Sequence, residues 1–184
     1  MSTYGEKTLY RKVQVILEYA KEGKHQDKKS LIEYIESNKP TNFLSSWRNR
    51  ETDIIEHRYS TNSIERAIKI CVDLKLLQGE SMVLTPHGRS ATDPRRFPTI
   101  VGGSVRELLE SLGIPFNLIL NSIRSILHSD QPRPSTSEEI WNQLGRPAET
   151  INEEEFQSLL ALLGQCHILS VTQKRMFLPW YEDS

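Results

Sequence analysis

Thr61, Asn62, Ser63, Arg66 and Lys69 set two hydroxyls, an amide and two cations within a stretch of nine residues. Those groups suit a nucleic-acid duplex: arginine pairs with a guanine edge, asparagine with adenine, and hydroxyls or lysine with phosphate oxygens. Upstream, Arg48, Arg50, Arg58 and His57 alternate with Trp47 and Tyr59, the mixture of cations and aromatics found at phosphate and base contacts. The same stretch also reads as a helical insertion whose aromatics pack inward and whose charges are solvated. Arg89 and the pair Arg95 and Arg96 add further phosphate candidates. Asp53, Glu56 and His57 could ligate a metal at helical spacing, but no nucleophile motif, glycine-rich phosphate loop or second ligand cluster accompanies them. His25, His87, His128 and His167 are scattered. The expectation is a protein that is not an enzyme and carries neither metal nor cofactor.

The elements that would position these groups follow from periodicity. Ile64, Ala67, Ile68 and Cys71 fall at i, i+3, i+4 and i+7 and predict a helix over 62–77. Asn62 is its expected N-cap, with Glu65 three residues on. Leu76-Leu77 and Met82-Val83-Leu84 then predict a hairpin around Gln78-Gly79-Glu80-Ser81, with Gly79 supplying a positive φ. A shift of 92 residues repeats the pattern in Phe156, Leu159, Leu160 and Leu163, followed by strands flanking 172–175. Helices are expected over 8–21 and over 28–37, the latter capped by Asp27. Residues 39–61 form an insertion predicted to be at least partly helical around Phe43, Leu44 and Trp47 and around Ile54, Ile55 and Tyr59. Ser104 and Thr136, each with glutamate three residues on, open helices as capping boxes, and Pro115 starts a longer one. The fold class expected is mainly α with small β-hairpin wings, arranged as tandem winged-helix domains. The domains are 1–92, with the 39–61 insertion, and 104–184, joined by a linker over 93–103.

Val83-Leu84-Thr85-Pro86-His87-Gly88-Arg89 resembles the LTxxGR segment that closes the wing of many winged-helix transcription regulators. The resemblance implies that the second wing strand ends at Leu84-Thr85, that Gly88 lets the chain turn, and that Arg89 supplies the basic residue. It further implies docking on duplex DNA through the first turns of the third helix, with the wing on the backbone. In the second copy the matching turn is Asn152-Glu153-Glu154-Glu155, whose carboxylates repel phosphates. That copy is expected to serve assembly, by self-association or a protein partner, with Phe177, Trp180 and Tyr181 as the contact surface.

Composition agrees with a globular chain, 37% apolar and 26% charged. No apolar run approaches the roughly 20 residues of a membrane span, and no secretory signal is evident, so the expectation is a soluble protein, cytoplasmic or nucleoid-associated, or nuclear in a eukaryote. Cys71 and Cys166 are expected as core residues. Charge is uneven: residues 1–102 hold 17 Lys and Arg against 13 Asp and Glu, residues 103–184 hold 6 against 11. A basic half is attracted to a nucleic-acid backbone and an acidic half is repelled. The competing expectation is an adaptor without DNA contact, similar to the dimeric tandem winged-helix subunits that bind the kleisin bridge of chromosome-condensation complexes.

Overall fold

The structure, a computed structural model, describes residues 8–127, 135–147, 149–166, 170–172 and 175–177. The side chains of Ser46, Trp47, Glu56, His57, Arg58 and Leu127, and of the strands within 170–177, lie outside that description. The chain is mainly helical and divides into two compact units, Met1–Phe97 and Pro98–Ser184. Among the described residues no helix is long and apolar enough to cross a membrane.

The first unit is built on α1 (Leu9–Lys21), α2 (Lys28–Asn38) and α3 (Thr61–Asp73). Val13, Ile16, Leu17 and Ala20 of α1 meet Leu31 and Ile35 of α2 and Ile64, Ala67, Ile68 and Cys71 of α3, all buried. The α3 residues are the predicted stripe, and burying such residues stabilises by about 1.5–3 kcal/mol for each large side chain. Asp27 caps α2 in a reciprocal box with Ser30. The cap of α3 is Ser60 rather than Asn62; its hydroxyl accepts from the Ser63 N–H at 3.2 Å. Both residues are good caps, and the choice falls on Ser60 because the chain arrives there extended from a strand.

That strand corrects the insertion. After a 3-10 turn, Thr41–Phe43, residues Leu44–Arg48 (β1) and Ile55–Tyr59 (β2) form an antiparallel hairpin, not a helix. Its register pairs Leu44 with Tyr59 and Arg48 with Ile55. Phe43 is buried at its root and accepts a backbone hydrogen bond from Ser60. Ile54, Ile55 and Tyr59 are β-branched or aromatic, and their β preference prevails over a weak helical stripe.

The predicted first wing is reduced to a single bridge between Leu77 and Leu84. The positive φ in this turn belongs to Met82, at 55°, and not to Gly79. Gly88 is also corrected: it lies inside a short helix, α4 (Pro86–Ala91), capped by Thr85. Its glycine character is steric, since a Cβ there would sit 2.0 Å from the Leu76 carbonyl oxygen. The expected linker is partly helix. Helix α5 (Phe97–Ser111) runs through Gly102 and Gly103, and Ser104 lies buried within it instead of capping a new helix.

In the second unit α5 and α6 (Phe116–Leu127) precede β3 (Ser135–Thr136), α7 (Ser137–Gln143) and α8 (Glu153–Gln165). Thr136 and Glu139 form the predicted capping box. Strands β4 (Ser170–Thr172) and β5 (Arg175–Phe177) complete a three-stranded sheet of order β3-β5-β4, all antiparallel. Trp141 packs on Phe156 with ring centres 5.1 Å apart, and Leu159, Leu160 and Leu163 of the repeated stripe are buried.

Candidate nucleic-acid interface

Helix α3 lies on α1 and α2 through Ile64, Ala67, Ile68 and Cys71. At 100° per residue this leaves Thr61, Asn62, Glu65, Arg66 and Lys69 on the exposed side. The first turn holds no acidic residue, so the positive end of the helix dipole is uncompensated by its own side chains.

Several of these groups are engaged within the fold. The Thr61 hydroxyl donates to Glu36 of α2. The Ser63 hydroxyl, half-buried, accepts from the Lys12 ammonium at 2.8 Å. Lys69 pairs with Asp73 one turn on, also at 2.8 Å. The face is therefore mixed, with Lys12, Arg66 and Lys69 set among Glu36, Glu65 and Asp73. Asn62 and Arg66 are exposed residues whose amide and guanidinium suit a base edge or a phosphate. Lys12 is a residue that sequence reasoning missed, because only the fold brings position 12 beside position 63.

The hairpin ends where α3 starts, since Tyr59 ends β2 and Ser60 caps the helix. Arg48 and Arg50 near its tip are exposed, and Arg48 gives its Nε–H to the Asp53 carboxylate at 2.7 Å. Asp53 takes φ 57°, a left-handed geometry that aspartate tolerates. The side chains of Arg58, Glu56 and His57 lie outside the described residues, and among those that are described no three His, Cys, Asp or Glu side chains group as metal ligands. At the root of the hairpin, burial first, then Tyr19 and Glu36, push the Tyr59 phenol upward, so it stays protonated.

Arg89, on α4, and Arg95 and Arg96, in the turn before α5, are all exposed. Helix α4 packs on α1, and Arg96 stands 3.9 Å from Asp93. These three arginines lie near one another in sequence, with Asp93 among them, apart from the α3 set.

In the second unit Asn152 caps α8, and Glu153, Glu154 and Glu155 are exposed in its first turn. Phe177 lies in β5 with its side chain outside the description, and Trp180 and Tyr181 fall wholly outside the described residues. Both cysteines are buried and unpaired with each other; burial pushes the Cys166 thiol up to about 12 and Cys71 higher still. Searches of protein-family models, curated proteins and solved structures match nothing to this chain.

Proposed function

We propose that the chain is a non-enzymatic DNA-binding protein of two winged-helix units, the first docking on duplex DNA and the second serving assembly with a partner or a second copy. The observation that carries this reading is the exposed Asn62, Arg66 and Lys69 on a helix whose first turn lacks acids, with an arginine-bearing hairpin rooted at the same helix end. The fold assignment is supported by the order α6, β3, α7, α8, β4, β5 and by a sheet that interleaves the terminal strand between the other two. In this reading α3 enters the major groove and Arg48, Arg50, Arg89, Arg95 and Arg96 touch phosphates.

The test is a fluorescence-anisotropy titration with random duplexes at two salt concentrations. Phosphate contacts release counterions, so log affinity must fall with log salt, by about 0.9 per phosphate neutralised. A negative slope with micromolar or tighter binding is the expected result. No binding at low salt leaves the adaptor reading, which the exposed acidic turn of α8 favours over any nucleic-acid role for that unit.

A further inference from the structure

Ile54 and Ile55 at the tip of the β1–β2 hairpin are each 60% exposed, more than any other large apolar residue described. Among the described strands β1 and β2 pair only with each other, so the ribbon stands as a two-stranded arm. Leu44 and Tyr59 close its root and are half-buried, whereas the Arg48 and Ile55 pair on the same face is open to solvent. Two adjacent exposed isoleucines at the tip form an apolar edge beside Arg48 and Arg50 that a partner surface could cover.

We infer that this arm is a wedge for the minor groove of the same duplex, with Ile54 or Ile55 entering between base pairs while Arg48 and Arg50 hold the flanking phosphates. The inference rests on the DNA-binding reading above. Isoleucine is among the side chains able to part a base step, and arginine suits the negative potential of a narrow minor groove. Dimensions agree: five paired residues extend about 17 Å, and half of B-DNA's repeat of roughly 34 Å, the step from major to minor groove along one face, is about 17 Å. Asp53 does not cancel the arm's role. It accepts the Nε–H of Arg48, and the exposed guanidinium still carries terminal N–H donors that a phosphate could take. Glu51 and Asp53 lower the general attraction of the tip, so contact depends on the two arginines and the isoleucines together.

The experiment uses the whole chain and a duplex carrying 2-aminopurine at successive steps, whose fluorescence rises when a base is unstacked. The unmodified protein should raise that fluorescence at one step or a few neighbouring steps. The variant I54S/I55S keeps every charge; it should abolish the rise and weaken binding about tenfold, with the salt slope unchanged because no phosphate contact is lost. Wild-type binding with no fluorescence rise, or an I54S/I55S variant that matches wild type in both signals, overturns the wedge and leaves the DNA reading standing. Light scattering in which I54S/I55S turns a dimer into a monomer also overturns it, by assigning the tip to a second copy. Absence of any binding by the wild type removes the DNA reading and the wedge with it.

Discussion

Helices α3 and α8 have the same length, 13 residues, and their ends are related by the same 92-residue shift that relates their buried stripes. Each is capped by a polar side chain that accepts from the backbone N–H three residues on, and each lies on its unit through i, i+3, i+4 and i+7 positions. Their exposed sides differ. Where α3 has Thr61, Asn62 and Ser63, α8 has Glu153, Glu154 and Glu155, and Arg66 and Lys69 correspond to Ser158 and Ala161. In α8 the carboxylates complement the helix's own dipole, so its N-terminal charge is neutralised internally. In α3 no side chain of the first turn does so, and the nearest carboxylate described is Glu36 of α2, which accepts from Thr61. One frame thus supports a helix that neutralises its own N-terminus and a helix that, in the proposed reading, offers it to a ligand.

The comparison can be broken most severely at Gly88, inside α4 of the first unit. Gly88→Ala forces a methyl group against the Leu76 carbonyl, and neither the α4 backbone nor the Leu76 backbone can yield cheaply. The expected cost is about 3 kcal/mol or more, seen in thermal unfolding as early loss of the first unit. A Tm within two or three degrees of wild type, by about the 150–250-residue scaling, would show that α4 shifts freely. Next in size, Arg66→Ala with Lys69→Ala should weaken DNA binding at least about tenfold, roughly 1.4 kcal/mol, while leaving the unfolding curve near wild type. Unchanged affinity removes these residues from the interface.

Much of the core was legible because burial writes itself as a period: the stripes of α3 and α8 are where the spacing puts them. The caps at Asp27 and Thr136 were legible for the same local reason. The hairpin was not, because Ile54, Ile55 and Tyr59 satisfy a short helical stripe and a short strand equally, and cross-strand pairing with Leu44–Arg48 decides between them. Gly102 and Gly103 suggested a linker, yet Val101 and Val105 bury on either side and hold the chain helical through them. At the candidate interface the exposed α3 residues were found from periodicity. The contacts of Thr61 with Glu36 and of Ser63 with Lys12 join residues 25 and 51 positions apart, and no local pattern encodes them.

A subtler probe compares the caps. Ser60→Ala and Asn152→Ala each remove one side-chain acceptor from a helix start, half-buried in the first case and exposed in the second, and each should cost about 1 kcal/mol in denaturant unfolding. Only Ser60→Ala should also weaken DNA binding, because fraying the first turn of α3 disorders Asn62. Equal effects of the two on binding would mean that the units do not divide the work as proposed.

The smallest effect is expected at the acidic turn. Replacing Glu153, Glu154 and Glu155 with glutamine removes charges that complement the dipole of α8, each worth about 0.3–1 kcal/mol at an exposed helix end, so stability should fall slightly. DNA affinity should stay equal or rise, since carboxylates near a polyanion can only repel it. The converse change, Asn62→Glu, places such a charge on α3: it should help that helix by a few tenths of a kcal/mol and weaken DNA binding at low salt most of all. Opposite signs for stability and affinity at one residue distinguish an interface from a merely structural turn, because a structural role moves both in the same direction. If the glutamine variant bound DNA more weakly, or Asn62→Glu bound it as tightly as before, the roles of the two units would have to be exchanged.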